Sequence, residues 1–272
     1  VAGVPAAPPY SGLVASAVAR DPTTLPRWEQ GLAWVPERCA TAYQLAPWCA
    51  DPVAGYESPR AGSAFYRPVE LRVADACSTL GGPVDPERVL RVANAQTPFA
   101  VARELWTGAA SLADPHEVPA APGVDAVNAH LASTDADVVG TGAADPLPGF
   151  GRLEQAALEA THGQPVMIHV PVLLLGRLAD VFRPVGQQLI THAGNVLVAD
   201  AGYPGTSPAG QPGTTTWMYA TSPVTVLLST WALDLDETSR VDRAVNTRTT
   251  WASRVFAAVF DPCVHLATEI TL

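Results

Sequence analysis

Residues 85–108 have the sequence DPERVLRVANAQTPFAVARELWTG, which predicts one long helix. Asp85 is a good N-cap, Pro86 suits the first helical position, and Gly108 ends the pattern. At about 1.5 Å per residue, the helix from Pro86 to Thr107 would be roughly 33 Å long.

The apolar side chains of this helix form a broken stripe with arginines between them. Such a helix packs one face and exposes the other to solvent or to a neighbouring molecule. Pro98 deletes one backbone hydrogen bond and should kink the helix, so two shorter helices that meet near Thr97 are the alternative. The stripe consists of Val89, Leu90, Val92, Ala93, Val101, Ala102, Leu105 and Trp106.

Composition limits the class of protein. A chain of 272 residues with 48% hydrophobic and 15% charged residues predicts one large globular domain or two closely joined ones, and 26 prolines and 21 glycines predict many loops. All 16 basic residues are arginine. Schiff-base chemistry, a P-loop lysine and an isopeptide crosslink through a lysine of this chain are therefore excluded.

The charge argues against general binding to nucleic acid. The formal net charge is −10, whereas proteins that hold phosphates draw most of their affinity from basic side chains. No run of about 18 apolar residues could span a bilayer, and residues 1–9 lack the basic start of a secretion signal. The sequence predicts a protein made and used in a cytosol.

The four cysteines show no C-x-x-C spacing, so neither a zinc ribbon nor a redox pair is indicated. Ordinary buried or partly buried thiols are the expectation, with a disulfide between Cys39 and Cys49 as an alternative. Cys263 and His265 could offer two metal ligands from one strand end, but two ligands do not make a site. The fourth cysteine is Cys77.

The first sixty residues form no sustained pattern, and nine prolines keep this segment extended. Its aromatic side chains are too numerous for a free linker, so we expect it to dock on its own body or on neighbouring subunits. These aromatic residues include Trp28, Trp34, Tyr43, Trp48 and Tyr56.

Residues 65–74, FYRPVELRVA, alternate between two faces and resemble an exposed hairpin arm that Pro68 confines to a sheet edge. Phe65 and Tyr66 could anchor such an arm in a pocket of a neighbour or cover their own body; the neighbour is favoured, because the hairpin has little core of its own. One face carries Phe65, Arg67, Val69, Leu71 and Val73, and the other Tyr66, Glu70 and Arg72.

The rest of the chain predicts an α/β body. Short helices are expected at 124–131, 149–163 and 171–182, and a buried strand at 165–170. A hairpin is expected at 188–198 around Ala193-Gly194-Asn195, followed by a Gly/Pro-rich loop at 202–213. Further strands are predicted at 214–219, 224–230, 247–258 and 263–272, the last two joined through Asp261-Pro262.

In this order of parts the chain resembles the major capsid proteins of tailed phages with the Hong Kong 97 fold, especially those of actinobacterial phages. Four stretches carry the resemblance: FYRPVELRVADACSTLGG as the elongated loop, the 85–108 helix as the spine helix, and VLVADAGYPGTSP and TTTWMYATSPV in the axial lobe. The resemblance covers nearly the whole chain and rests on architecture rather than on a catalytic signature.

The resemblance implies an α+β fold with an extended N-terminal arm, an elongated β-hairpin loop, a long spine helix, and peripheral and axial lobes. It implies a structural subunit that assembles into hexamers and pentamers of an icosahedral head around double-stranded DNA without binding it specifically. The expected segments are the arm at 1–55, the loop at 56–84, the spine helix and peripheral lobe at 85–148, the axial lobe at 149–232, and a return to the peripheral lobe at 233–272.

The implied partners are copies of the same chain, with scaffold, portal and cement or decoration proteins, in a virion assembled in the host cytoplasm. The arm and the loop would reach over neighbours. Without lysine, noncovalent contacts or a separate cement protein would have to hold the shell together. The predicted subunit-contact residues are Trp28, Trp34, Phe65, Tyr66, Arg67 and Arg72.

No catalytic residue, cofactor or metal is predicted, since the G-x-S-x-G, H-E-x-x-H, Walker and G-x-G-x-x-G motifs are missing. A metal or acid/base cluster of His162, His169 and His192 is the alternative to loop-end or core histidines. The acidic residues Asp234, Asp236 and Glu237 could bind a hard cation, but a solvated acidic turn is favoured.

Two other functions stay open on the sequence alone. An encapsulin-type cellular shell has the same fold but encloses cargo enzymes, and neighbouring genes would distinguish it from a phage capsid. A cytosolic hydrolase with an unrecognised site would form a small oligomer with a deep pocket.

Overall fold

The computed structural model describes residues 12–20, 25, 27–34, 63–78, 86–113, 124–127, 129–208, 214–234, 241–242 and 247–272. Its α-helices are α1 (Leu13–Ser16), α2 (Pro86–Thr107), α3 (Ala109–Leu112) and α4 (Pro146–Ala160). Its 3-10 helices span Trp28–Gln30, Val172–Arg177 and Ala179–Val181.

The strands, in chain order, are β1 (Val18–Ala19), β2 (Leu32–Trp34), β3 (Ser63–Tyr66), β4 (Val69–Ser78), β5 (Val124–Val127), β6 (Asp137–Val138), β7 (Met167–Pro171), β8 (Phe182–Val185), β9 (Gln188–Thr191), β10 (Val196–Asp200), β11 (Thr215–Thr221), β12 (Thr225–Leu228), β13 (Ala232–Asp234), β14 (Val241–Asp242), β15 (Thr247–Val259) and β16 (His265–Thr271). Within the described ranges they form a seven-stranded, a six-stranded and a three-stranded sheet.

The seven-stranded sheet has the order β6-β16-β11-β7-β10-β9-β8 and is covered on both faces. Alternate residues of its central strands enter two different cores. Ile168 and Met218 pack with Phe150 and Leu153 of α4, whereas Tyr219 packs with residues of α2. All five residues of β7 are buried, which explains the nearly continuous apolar run that predicted this strand.

The six-stranded sheet is built around β15, the longest strand. β4 pairs with one edge of β15, from Thr247 opposite Ser78 to Phe256 opposite Val69, while β12, β13 and β14 follow one another along the other edge. β1 adds to β12 in parallel. Because β16 lies in the seven-stranded sheet, the predicted boundary at residue 232 does not follow the division between the sheets.

The prediction of α2 is confirmed, and the alternative of two shorter helices is wrong. One helix runs through Pro98, and next to it the Thr97 hydroxyl donates to the carbonyl of Ala93 at 2.8 Å. Gly108 then adopts φ +60°, which glycine tolerates, and a Cβ there would lie 2.7 Å from the His130 ring. Val92, predicted in the buried stripe, is 40% exposed.

Residues 65–74 do not form a hairpin, so that expectation is wrong. β3 and β4 lie in different sheets, with Pro68 in the gap between them, and the partner of β4 is β15. The predicted alternation holds within β4, where Val73 is buried and Arg72 is exposed. The last two strands, β15 and β16, follow one another but do not pair with each other.

The predicted helix at 124–131 is wrong, because β5 pairs in parallel with β3. Two β-branched valines in a four-residue segment fit a strand once a partner is present. The predicted helix at 171–182 is two 3-10 helices, and α4 begins at Pro146, three residues earlier than predicted.

The hairpin at 188–198 is confirmed, with Gly194 at φ +91°. Glu154 of α4 anchors it, since its Oε1 accepts from the Thr191 hydroxyl at 2.6 Å and from Asn195 Nδ2 at 2.8 Å. No helix of the described residues is long and apolar enough to cross a membrane. Asp85, Asp236 and Glu237 lie outside the described residues, as do Cys39 and Cys49.

Candidate functional site

Two of the six predicted contact residues are buried in their own subunit. Trp28 and Tyr66 are 6% and 3% exposed and pack with Leu32 and Leu227 in a small core beside the six-stranded sheet. The Tyr66 hydroxyl donates to the carbonyl of Phe260, and burial raises the pKa of Tyr66. In the subunit by itself both rings are almost fully buried, and they pack on their own body.

The other four residues occupy different places. Trp34 and Phe65 belong to the adjacent strands β2 and β3, but their side chains lie outside the described part of the structure. Arg67 follows β3 and lines a small cleft beside the end of α2. Arg72 lies on β4 with a 67% exposed side chain, and Nη2 is 2.5 Å from Glu70 Oε2. Subunit contact by the six residues stays a prediction.

Because Tyr66 is buried, its mutation should affect the stability of the subunit itself. Tyr66→Ala should lower the free energy of unfolding by about 3–5 kcal/mol, because it removes a buried ring and leaves the Phe260 carbonyl without its donor. Arg72→Ala, at an exposed position, should change it by about 0.5 kcal/mol or less. Urea unfolding of the two unassembled variants measures this, and equal stabilities would contradict the packing of Tyr66.

Aromatic and histidine rings form a continuous junction between the two main sheets. Trp106 of α2 lies at its centre, with ring centroids 4.9 Å from those of both Tyr203 and Tyr219. His169 contacts Tyr203 at 5.7 Å, and His265 contacts Tyr219 at 6.3 Å. The series continues through Phe260, whose ring lies 5.3 Å from that of His265 and 6.4 Å from that of Tyr66.

The hydrogen bonds of His169 determine its tautomer. The Thr221 hydroxyl donates to the carbonyl of Ser222 at 2.7 Å, so at His169 Nε2, 2.9 Å away, its oxygen must accept. Nε2 therefore carries the proton, and Nδ1 accepts from the Tyr203 hydroxyl at 2.9 Å. Burial lowers the pKa of His169 to about 3, with a smaller contribution from His265. This histidine is neutral and fully engaged.

His265 is a second buried histidine. Its Nε2 donates to the carbonyl of Leu131 at 2.9 Å, and burial lowers its pKa. Since the backbone of Leu131 is also bonded to the end of α2, through its N–H to Leu105 at 2.8 Å, this contact connects β16 to α2. The role that fits both histidines is structural: they satisfy polar groups at the junction.

The alternative sites are not assembled. His162 and His192 are exposed, and His192 Nε2 contacts the carbonyl of Asp180, whereas His169 is buried. The described ranges hold no group of three or more His, Cys, Asp or Glu side chains that could bind a metal ion. Cys263 is joined in a disulfide, so the expectation of an ordinary thiol is wrong there.

A set of exposed apolar side chains was missed in the sequence. Val172 and Leu173 are 50% and 57% exposed at the start of a 3-10 helix, and Val185 is 50% exposed on β8, the edge strand of the seven-stranded sheet. The apolar run VPVLLLG gave no sign of this, because exposed and buried residues alternate within it without a regular period. Val172 and Leu173 follow the central strand β7, whereas Val185 lies on the edge strand β8, and we call the three residues together the edge patch.

Comparison with solved structures shows the fold. The chain is similar to a chain of the capsid of an empty GTA particle computed with C5 symmetry, with a TM-score of 0.57, 13% identity, and coverage of 100% of this chain and 93% of that one. It is also similar to a chain from Gordonia phage Cozz, with a TM-score of 0.54, 12% identity, and coverage of 98% and 88%. A chain from Microbacterium phage Oxtober96 is similar with a TM-score of 0.52 and 13% identity, and the match covers 100% of this chain and 94% of that one.

At such low identities these similarities show the fold alone, and the chain has the fold of phage capsid shell proteins. No known family profile and no curated protein sequence matches it.

Proposed function

We propose that this protein is the major capsid subunit of a tailed phage, a structural protein that self-assembles into a closed head. The observation that carries the proposal is the extent of the fold match, which includes both main sheets and α2 and covers 88–94% of the matched chains. If this chain shared only one module with the capsid chains, a large part of each capsid chain would have no counterpart in it. The buried, neutral histidines of the junction are consistent with a structural protein rather than an enzyme.

The finer assembly follows from the resemblance. The subunit forms hexamers and pentamers around double-stranded DNA, assembled in the host cytoplasm, with scaffold, portal and decoration proteins as partners. Arm contacts from the segment of Trp34 and loop contacts from Phe65, Arg67 and Arg72 hold neighbours together without a lysine crosslink. The net charge of −10 supports a wall that encloses DNA without binding it tightly.

Negative-stain electron microscopy of the purified protein after size-exclusion chromatography tests the proposal. Closed shells or capsomer rings are expected. A protein that stays monomeric even when expressed with the scaffold gene beside it would contradict the proposal.

The edge patch gives a sharper prediction about assembly. Leu173→Asp should leave the fold unchanged, because 57% of Leu173 is already exposed, but should reduce the yield of shells by about tenfold or more, since a buried unpaired charge in a contact costs more than 1.4 kcal/mol. Leu173, which follows the central strand β7, and the other side chains of the edge patch would face the next subunit around the capsomer centre. Sedimentation of assembled and free subunits measures the yield.

Leu112→Asp is the matched control, because Leu112 is 59% exposed but lies on α3, away from the seven-stranded sheet. Its shells should form normally. If both variants assemble equally well, the edge patch is not a subunit contact.

A further inference from the structure

Residues 12–19 of the N-terminal segment lie across both main sheets, and we call them the strap. The strap begins with the single turn of α1, which is placed against β10 of the seven-stranded sheet and against α2. It ends with β1, which pairs with β12 of the six-stranded sheet. The strap therefore joins two sheets that are also connected by the aromatic junction, by the chain link from β11 to β12 and by the corner from β15 to β16.

The first end of the strap is held by a buried carboxylate. The N–H of Leu13 donates to Asp200 Oδ2 at 3.0 Å, and the N–H of Gly202 donates to Asp200 Oδ1 at 2.9 Å. Asp200 is 3% exposed, and Leu13 is fully buried in the core that contains Trp106. Withdrawing the strap would take one of two backbone donors from a buried carboxylate and open a cavity the size of a leucine side chain.

The second end of the strap is paired with β12 through backbone hydrogen bonds. The N–H of Val18 donates to the carbonyl of Val224 at 2.9 Å, and Val18 and Ala19 lie opposite Thr225 and Val226 in parallel register. The side chain of Val18 is 50% exposed and adds little packing. This end can therefore be loosened by removing one hydrogen bond without disturbing the core.

We propose that the strap restrains motion between the seven-stranded and the six-stranded sheets. The place where such motion would appear is the corner between β15 and β16. There the N–H of Asp261 donates to the Ser222 hydroxyl at 2.7 Å, and the N–H of Val264 donates to the carbonyl of Asp261 at 3.2 Å. Two chain connections, from β11 to β12 and from β15 to β16, meet at this corner through the Ser222 hydrogen bond. The contacts on either side, of which the strap is one, add to these connections in setting the relative orientation of the sheets.

Val18→Pro in the full chain tests the proposal, with Val18→Ala as the matched control. Proline removes the N–H that bonds Val224, and Ala17 before it already has the extended backbone that suits a residue preceding proline, with φ −67° and ψ 157°. Alanine keeps the N–H and removes the same exposed side chain. Hydrogen exchange followed by mass spectrometry on the unassembled subunit is the measurement.

In Val18→Pro, the amides of the strap and the corner amides of Asp261 and Val264 should exchange about fivefold faster or more, whereas those of β7 and β11 should not change. Val18→Ala should match the parent chain. Asp200→Asn, which turns an amide NH₂ towards one of the two backbone donors, should have the same effect from the first end.

Faster exchange in the strap with unchanged exchange at the corner would overturn the proposal. Unchanged exchange in the strap of both Val18→Pro and Asp200→Asn would overturn it as well. Because these measurements use the unassembled subunit, their outcome does not depend on whether the protein forms shells.

Discussion

Replacing Trp106 by alanine should lower the free energy of unfolding by about 3–5 kcal/mol, because it removes the central ring of the aromatic junction. Trp106 is fully buried and contacts Tyr203 and Tyr219, and its Nε1 donates to the Thr206 hydroxyl at 3.0 Å. A loss of this size is a large part of the 5–15 kcal/mol typical of a folded domain. Urea unfolding followed by circular dichroism measures it without relying on tryptophan fluorescence.

Trp251→Ala is the control for this prediction. Trp251 lies on β15 and is 38% exposed, so its removal should cost about 1 kcal/mol or less. Trp106→Phe keeps part of the ring packing and should lie between the two. If Trp106→Ala and Trp251→Ala were equally stable, the junction would not be a centre of stability.

Acid should weaken the subunit through His169. Burial lowers the pKa of its imidazole from 6.5 to about 3 in the folded chain. Between these two values the unfolded chain binds the proton and the folded chain does not, so the contribution of His169 to stability is complete above about pH 6.5 and is lost as the pH falls towards 3. At pH 4.5, two units below the unfolded value, the loss should be about 3 kcal/mol.

His169→Gln separates this effect from that of other groups. Its amide can still donate and accept towards Thr221 and Tyr203 but does not titrate, so the difference in stability between pH 7 and pH 4.5 should shrink by about 3 kcal/mol. His265, whose pKa is also lowered, continues to favour unfolding in acid, while Asp200, whose pKa burial raises, opposes it.

Urea unfolding of the unassembled subunit at the two pH values gives these differences. A pH dependence that is the same in His169→Gln as in the parent would show that His169 is protonated in the folded chain.

The sequence predicted correctly those elements whose structure depends mainly on neighbouring residues. The 22-residue helix α2 has a proline at its start and a glycine at its end, and the hairpin at 188–198 has a glycine in its turn. The buried strand at 165–170 was predicted from its apolar run, because both faces of β7 are covered. The capsid fold itself followed from the order of these parts rather than from any single motif.

Pairings between distant segments could not be predicted in this way. The partner of β4 is β15, more than 150 residues further along the chain, and nothing in the sequence of residues 65–74 distinguishes a long-range partner from a hairpin. The same reason explains β5, which was predicted as a helix but pairs with β3. A strand is defined by its partner, and a sequence pattern shows only one of the two.

The candidate site was harder to predict than the fold. Residues 65–74 show a clear alternation of faces, but this pattern does not tell whether the Tyr66 ring enters a neighbour or its own core. The answer depends on Phe260, 194 residues away. Exposed apolar residues such as Leu173 are indistinguishable from core residues in the sequence, since both contribute the same letters to an apolar run. Burial is set by the packing of the whole chain.

The parallel pairing of β1 with β12 has a consequence for synthesis on the ribosome. Leu13 is separated from Asp200 by 187 residues, so the strap has no place to dock until most of the chain has been made. At about 5–20 residues per second this delay is on the order of ten seconds or more. The strap thus leaves the ribosome well before the residues that hold it, and in that interval it is accessible to chaperones and proteases.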